Sequence, residues 1–369
     1  MAMPTPTRVC QYSSMGSLAP TVAFRVAVIV TTAMLLSGCG GSPVGAPPPA
    51  PITPSASAAP EPSAPFPTVD LSCDELMPAA TVEGLFGAPL APQVSTTQEY
   101  FTNPSTFAVL HAGGTECVWE GSDGIRLGVS LLPHPGEGWT RYVDEYVVEN
   151  GRESVCPDPS PETTTSCTGN VLTSNDVWIS VLASTMSVDR VAAFDGAFAS
   201  TEDAVNAAAL VSPEWAPVSA TALGDGCDDF VSEAEATAAF ASPQKLGIGS
   251  GGGWSLEASA NLLTESSNCY WQYPDTDGGP GSLAWLEGGA WAWDVAHAPT
   301  GVLADATELA LPGLTANEEA WQECGADGFC SAHLIAGGNW ITATAFPGEA
   351  QDAATSAAAL LAAVRANLP

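Results

Sequence analysis

Apolar residues recur along this chain with two spacings, which predict helices and strands. Positions three or four residues apart predict helices at 78–86, 139–147, 201–211, 232–240 and 349–367. Alternating positions predict a hairpin at 118–132, turning at the polar stretch GSDG, and strands at 178–182 and 340–345. Ser232 and Glu235 fit a capping box, and Asn150-Gly151 fits a helix end.

The predicted elements occur twice, in the same order. LSCDELMPAATVEGLFG (71–87) is similar to DGCDDFVSEAEATAAFA (225–241), and TECVWEG (115–121) is similar to SNCYWQY (267–273). Trp178-Ile179 and Trp340-Ile341 follow in corresponding places. The chain is therefore an internal duplication with units at 69–216 and 217–369. Each unit is predicted to be α+β, an antiparallel sheet with helices packed on one face.

Cysteines recur with the repeats and predict disulfide staples. Leaving Cys10 and Cys39 aside, each unit has four, namely Cys73, Cys117, Cys156 and Cys167, then Cys227, Cys269, Cys324 and Cys330. If bridges stay within a unit and both units pair alike, three schemes remain. We predict the scheme Cys73–Cys117, Cys156–Cys167, Cys227–Cys269 and Cys324–Cys330. Zinc ligation by cysteine is the rival, but no Cys-x-x-Cys occurs.

The first part of the chain reads as an export signal and a tether. Arg25 precedes an apolar run, 26–36, that is too short to span a bilayer, so 1–38 is predicted to be a signal peptide. Leu36-Ser37-Gly38-Cys39 resembles a lipobox, which implies cleavage before Cys39 and its diacylation. Residues 39–68 are rich in Pro, Ala and Ser and predict an extended tether. An ordinary secretory signal with an incidental Cys39 is the alternative.

Together these motifs resemble small exported lipoproteins of high-GC Gram-positive bacteria, several of which carry domains of unknown function. The resemblance rests on Leu36–Cys39, on Cys73 and Cys227, and on the two Cys-x-Trp motifs. It implies a lipid anchor on the extracytoplasmic face of the cell membrane. It brings no catalytic residues, and the tandem arrangement departs from the single domain usual in such proteins.

The charge balance excludes one class of partner. The chain has 8 Lys and Arg against 41 Asp and Glu, a net charge of −33. Such a surface repels nucleic acid and gains nothing from anionic lipid headgroups. Membrane attachment is therefore expected through the lipid at Cys39.

A search for catalytic or metal-binding motifs gives weak signals only. Ser242 and Lys245 fit Ser-x-x-Lys, but the partner motifs of penicillin-binding enzymes are missing. The stretch 275–279 and the cluster Asp225, Asp228 and Asp229 are oxygen-rich, yet Leu286 stands where a calcium loop needs Glu. The four histidines, at 111, 134, 297 and 333, are scattered. No cofactor and no catalytic residue is predicted.

Tryptophan distribution gives the one candidate binding surface. The second unit holds seven of the eleven tryptophans. Read as a strand, 283–298 places Trp291 and Trp293 on one face, with Trp285 nearby. Exposed, these rings would form a platform for sugars or apolar ligands; buried, they would be core.

The expected function is non-catalytic binding or interaction at the cell envelope. The possible partners are a cell-wall glycan, a small ligand or an envelope protein. Two alternatives stay open: a wall-directed hydrolase whose active site is assembled from distant residues, and a purely structural spacer.

Overall fold

The computed structural model describes residues 64–93, 95–97, 102–146, 151–157, 164–211, 215, 220–224, 226–247, 254–275, 278–348 and 351–369. The predicted signal peptide, Cys39 and most of the tether lie outside these ranges. All described residues belong to one compact unit, Ala59–Pro369.

Two antiparallel sheets, one from each repeat, form the framework. The first contains β1 Pro92–Gln93, β2 Thr115–Glu120, β3 Arg126–Pro133, β4 Arg152–Val155, β5 Thr164–Leu172 and β6 Val177–Ser187. The second contains β7 Lys245–Gly247, β8 Ser267–Gln272, β9 Gly281–Leu286, β10 Thr307–Glu308, β11 Glu319–Cys324, β12 Cys330–Ala336 and β13 Asn339–Ala345. Their strand orders are β1-β2-β3-β6-β5-β4 and β7-β8-β9-β13-β12-β11-β10. Apart from the edge strand β10, the orders correspond, as a duplication requires.

Helices complete each repeat. Those of the first are α1 Cys73–Leu76, α2 Ala79–Phe86, α3 Ala108–His111, α4 Glu137–Tyr146 and α5 Val191–Ala207. Those of the second are α6 Cys227–Phe230, α7 Glu233–Phe240, α8 Leu256–Leu263, α9 Ala290–Ala296 and α10 Ala353–Asn367. Short 3₁₀ helices occupy Ser95–Thr97, Pro104–Phe107 and Val188–Arg190. None of the helices in the described part of the chain has the length and apolar character needed to cross a bilayer.

Most predicted helix positions are confirmed, with one large shift. Ser232 caps α7 in a capping box with Glu235. The helix predicted at 201–211 starts at residue 191 and ends at Ala207 instead. It ends early because Leu210 leaves the helix to bridge Val69.

The strand predicted through Trp291 and Trp293 is wrong. The strand β9 ends at Leu286, and Gly288 turns the chain with a φ of 68°. Both tryptophans lie on α9, whose buried positions include Ala292, Trp293 and Ala296. In a helix, residues two apart point in different directions. Trp293 therefore enters the core, while Trp291 points to the side and remains partly exposed.

One face of each sheet packs on helices of its own repeat. Val82 of α2 and Phe194 and Phe198 of α5 are buried against the first sheet. Leu360 and Val364 of α10 take the equivalent place on the second sheet. The predicted α+β fold, with helices on one face of an antiparallel sheet, is confirmed for these layers.

The four predicted disulfides are present. Cys73–Cys117 and Cys227–Cys269 join the first helix of each repeat to β2 and β8. Cys156–Cys167 and Cys324–Cys330 close short loops. Trp119 and Trp271 lie buried in the same clusters as Cys117 and Cys269. The Cys-x-Trp motif is thus a structural staple that occurs once in each repeat.

Strand pairing fixes which positions of the repeats are equivalent. Trp178 of β6 and Trp340 of β13 each pair with a leucine near the end of β3 or β9. The segments 104–111 and 256–263 are also equivalent, because both end six residues before the Cys of a Cys-x-Trp motif.

These equivalent segments are exchanged in part between the repeats, since Ala108 and Val109 stay in the cluster of the first sheet. Phe107 of the first repeat packs on the second sheet, where its ring centroid lies 5.5 Å from that of Trp340. Leu256 and Ala260 of α8 pack on the first sheet, in the cluster that contains Trp178. Each repeat therefore helps to cover the second face of the other repeat's sheet, and two of the four apolar clusters in the described ranges contain residues of both repeats.

The disulfides should differ in their contribution to stability according to loop length. Replacing Cys73 and Cys117 by Ala opens a separation of 44 residues, and replacing Cys324 and Cys330 opens one of 6. The loop-entropy estimate gives losses of about 4 and about 2 kcal/mol respectively in the free energy of unfolding. Urea unfolding of both double variants measures this, and equal losses would contradict the estimate.

Gly138 should be required for docking of the repeats. A Cβ there would lie 1.7 Å from Oγ and 2.5 Å from Cβ of Ser259 on α8. We expect Gly138→Ala to cost about 1–3 kcal/mol through overpacking, and Ser259→Gly to rescue most of that loss. Gly196 is the matched helical control, because nothing lies within 4 Å of its added Cβ. A Gly138→Ala variant as stable as Gly196→Ala would show that the contact is not limiting.

Candidate functional site

The three tryptophans proposed as a binding platform do not share a surface. Trp285 is 2 % exposed and lies in the core beneath α10, where its ring is tilted by 35° to that of Phe230 with the centroids 4.4 Å apart. Trp293 is 3 % exposed and belongs to the core on the opposite face of the same sheet. Trp291 alone is partly exposed, at the junction of the repeats.

The four histidines, scattered in sequence, form two pairs in space. His297 and His333 both contact Trp293, with ring centroids at 4.6 and 5.2 Å. His111 and His134 line one groove between the repeats. His111 and His134 are therefore next to open space, whereas His297 and His333 pack on tryptophans of the core.

His333 is a core histidine at the position that Asn170 occupies in the first repeat. Trp340 Nε1 lies 3.4 Å from His333 Nδ1, and in the first repeat Trp178 Nε1 donates to Asn170 at 3.1 Å in the equivalent place. Burial, and then His297, lower the pKa of His333 to about 3. Burial raises the pKa of Glu323, whose Oε1 lies 4.0 Å from His333 Nε2, to about 7. Near neutral pH the core imidazole of His333 is therefore uncharged, whereas the partly exposed carboxyl of Glu323 is only partly protonated.

The groove between the repeats, here called the central groove, has a volume of about 420 Å³. Its lining is divided equally between the repeats: His111, Ala112, Pro133 and His134 from the first, and Leu263, Thr264, Glu265 and Glu287 from the second. His111 and Leu263 are equivalent positions, since they end the exchanged segments. The groove is therefore built by the same part of each repeat, with different side chains.

His111 connects this groove to an aromatic cluster that it forms with Trp215 and Trp291. Trp291 Nε1 donates to His111 Nδ1 at 3.0 Å, and the ring of Trp215 meets the imidazole edge-on with centroids 4.9 Å apart. Burial lowers the pKa of His111 to about 4. Because an indole N–H can only donate, Nδ1 is the acceptor, and the neutral imidazole carries its proton on Nε2.

Two lining residues have backbone conformations that residues other than glycine rarely adopt. His134 has a φ of 51° and Glu265 a φ of 52°. His134 is held by Asp176, whose carbonyl accepts from its backbone N–H at 2.8 Å and whose Oδ2 lies 2.9 Å from Nδ1. Strained residues of this kind cluster at binding and catalytic sites.

Aromatic and acidic groups extend the central groove. An adjoining recess of about 200 Å³ shares His111 and His134 with the groove and is also lined by Phe66 and Trp215. Glu287 Oε2 accepts from the backbone N–H of Leu223 at 3.1 Å, so this carboxylate also fixes the connection between the repeats. Hydrogen-bonding groups and aromatic rings thus line one continuous depression.

The weaker sequence signals are not assembled into sites. Lys245 Nζ donates to the carbonyl of Pro274, and Ser242 Oγ contacts the carbonyl of Phe240, so Ser-x-x-Lys does not form a pair here. Asp229 caps the backbone N–H of Gly226. Within the described ranges, no three His, Cys, Asp or Glu side chains are placed to hold a metal ion. Asp225 lies outside those ranges.

Sequence reasoning did not identify the central groove, although one signal was available. Alignment of the two copies sets His111 against Leu263 and Pro133 against Glu287. Polar residues that differ between copies at such equivalent positions indicate acquired chemistry. Pairing His111 with His134 required knowledge of how the repeats dock.

His111 should make stability fall in mild acid. Its folded pKa of about 4 lies below the ordinary value of 6.5, so the unfolded chain binds more protons between these pH values. We expect the stability of the wild type, relative to His111→Gln, to decrease by roughly 2–3 kcal/mol as the pH falls from 6.5 to 4. Urea unfolding across this range measures it, and parallel stability curves would contradict it.

No family model, curated protein or solved structure matches this chain.

Proposed function

We propose that this protein is a lipid-anchored binding protein on the extracytoplasmic face of the cell membrane, and that its central groove holds a glycan of the cell envelope. The proposed cellular location rests on the lipobox-like residues Leu36–Cys39 and on the predicted tether. The observation that carries the ligand class is the aromatic cluster of His111, Trp215 and Trp291 beside hydrogen-bonding side chains.

The chemistry of the groove favours a neutral, hydroxyl-rich ligand. Aromatic faces such as those of Trp215 and Phe66 pack against the apolar faces of sugar rings. The carboxylates of Glu265 and Glu287 accept hydrogen bonds from hydroxyl groups, and His111 offers its Nε2–H as a donor. Two carboxylates in a strongly acidic protein disfavour anionic ligands.

The position of the groove fits binding beside the end of the predicted tether. Pro65 and Phe66, near the end of the predicted tether at 39–68, form one wall of the recess. Phe66 is 51 % exposed, so its ring is accessible. A glycan bound there would lie next to the segment that connects the folded part to the lipid.

Glycan binding should depend on Trp215. We expect the β-1,4-linked tetramer of N-acetylglucosamine, or soluble wall glycan fragments, to bind the wild type and to quench its tryptophan fluorescence. Trp215→Ala should weaken binding about tenfold or more, which corresponds to 1.4 kcal/mol or more. Calorimetric titration measures the affinity.

Trp254→Ala is the matched control for this prediction. Trp254 is also partly buried, but it packs under Arg141 on the first repeat, away from the groove lining. Equal affinities of the two variants, or no binding of either glycan preparation to the wild type, would refute the proposal.

The hydrolase alternative has one observation in its favour. Glu265 and Glu287 share the groove with the His134–Asp176 pair, and paired carboxylates are the usual catalytic groups of glycoside hydrolases. Hydrolysis would release reducing ends from the same glycans, and Glu265→Gln would abolish release while keeping binding. A structural spacer would give neither binding nor release.

A further inference from the structure

A second pocket, separate from the central groove, lies on the face of the first sheet that the other repeat covers. Its floor consists of two rows of residues that run across β2, β3 and β6. Glu116, Ser130 and Ser180 form one row, and Val118, Gly128 and Leu182 form the next. The floor thus has a polar half and a mostly apolar half.

Both repeats contribute the walls of this pocket, which has a volume of about 320 Å³. Ser105 and Thr106 come from the 3₁₀ helix of the first repeat, and Glu257 and Asn261 come from α8 of the second. The volume is at the lower end of the range for small-molecule sites. The pocket exists only because the exchanged segments meet above the sheet.

The carboxyl group of Glu116 is the distinctive feature of this pocket. Glu116 lines the pocket and is half-buried as a residue, but its Oε2 is withdrawn from solvent and has no hydrogen-bond partner. Burial, with a further contribution from Glu257, raises its pKa to about 8, against the lowering effect of Arg126. An unsatisfied buried acceptor is costly unless something binds to it.

The charges around Glu116 favour a cation. Glu257 on α8 is the second carboxylate of the pocket, and Arg126 on β3 is its one basic lining residue. Arg126 Nε also lies 3.9 Å from Glu120 Oε1, which shares its charge. The lining therefore carries one net negative charge when both carboxyls are ionised, in a protein whose overall field already attracts cations.

We propose that this pocket binds a small aliphatic ammonium group, with Glu116 and Glu257 as its counter-ions. An ammonium has three N–H donors, which suit the two carboxylates and the hydroxyls of the polar row. Val118 and Leu182 lie beside the place that the aliphatic part would occupy. Leu182 is 39 % exposed, so part of this apolar wall faces solvent when the pocket is unliganded.

The second repeat provides a natural comparison. Asn268 occupies the position equivalent to Glu116, since each directly precedes the Cys of a Cys-x-Trp motif. Asn268 pairs across the strands with Ala284, as Glu116 pairs with Ser130. The carboxyl is therefore not needed by the repeat fold, which indicates a role in the pocket.

The experiment uses the folded extracytoplasmic part of the chain, residues 59–369, with all four disulfides intact. Calorimetric titration at pH 7 compares n-butylammonium with 1-butanol, its neutral counterpart. We expect the ammonium to bind at least tenfold more tightly than the alcohol. Nα-acetyl-lysinamide, tested in parallel, distinguishes a lysine side chain of a peptide from a free amine, and tight binding of either amine supports the proposal.

Proton release provides a readout that a nonspecific ion would not give. Glu116 is mostly protonated at pH 7, so an ammonium that pairs with it must displace that proton to the buffer. The binding enthalpy should then depend on the ionisation enthalpy of the buffer. Because alkylammonium groups stay charged up to a pKa of about 10.4, the affinity should rise about tenfold from pH 6 to pH 7.

Three variants locate the site. Glu116→Gln and Glu116→Asn should each lose at least tenfold in affinity and abolish the proton release. Gly128→Val keeps both carboxylates but fills the pocket, since nothing lies within 4 Å of a Cβ added at Gly128. Glu83→Gln removes an exposed carboxylate on α2 and is the matched control, expected to bind as the wild type does.

Any one of three results would overturn the proposal. These are binding of 1-butanol as tight as that of the ammonium, affinity unaffected by Glu116→Gln and Gly128→Val, or the absence of ammonium binding between pH 6 and 8. Glycan hydrolysis that depends on Glu116, without ammonium binding, would instead assign this carboxyl to the hydrolase alternative. None of these outcomes depends on Trp215 or on the central groove.

Discussion

Trp178 and Trp340 lie on the second face of their sheets, and each is shielded by apolar residues that include a segment of the other repeat. This segment is the stretch before the Cys-x-Trp motif. Phe107 of the first repeat packs on the second sheet, and Leu256 and Ala260 of the second repeat pack on the first sheet. Either repeat alone would expose part of this face to water, at a cost of about 25 cal/mol per Å² of apolar surface. The reciprocal cover therefore makes the two repeats one unit.

The staples hold these exchanged segments in place at one end. Cys117 and Cys269 follow their segments by six residues and are bridged to the first helix of the same repeat. Within α8 the packing is close, because a Cβ added at Gly138 would collide with Ser259. The covalent and apolar constraints together fix the seam between the repeats, where both pockets occur.

At this seam the copies differ in side chains that line the pockets. Both repeats retain one core tryptophan on a helix and one on a strand. The ring centroids of Trp139 and Trp178 lie 5.1 Å apart in the first repeat, and those of Trp293 and Trp340 lie 5.7 Å apart in the second. In contrast, Glu116 stands against Asn268, and His111 against Leu263. Packing between equivalent elements restrains the tryptophans, whereas side chains that face a pocket are free to acquire new chemistry.

The sequence by itself determined the features that depend on local spacing and on the duplication. Helical and strand periodicities located five helices and four strands, and the repeated cysteines reduced the possible pairings to three schemes, of which the predicted one is correct. Only the tertiary structure decided that Trp291 and Trp293 lie on a helix, that His111 and His134 line the same groove, and that Glu116 lines a pocket together with α8. The reason is physical: these outcomes depend on contacts between residues far apart in the chain, made when each repeat covers the other's sheet, and no local pattern encodes which segment will provide that cover.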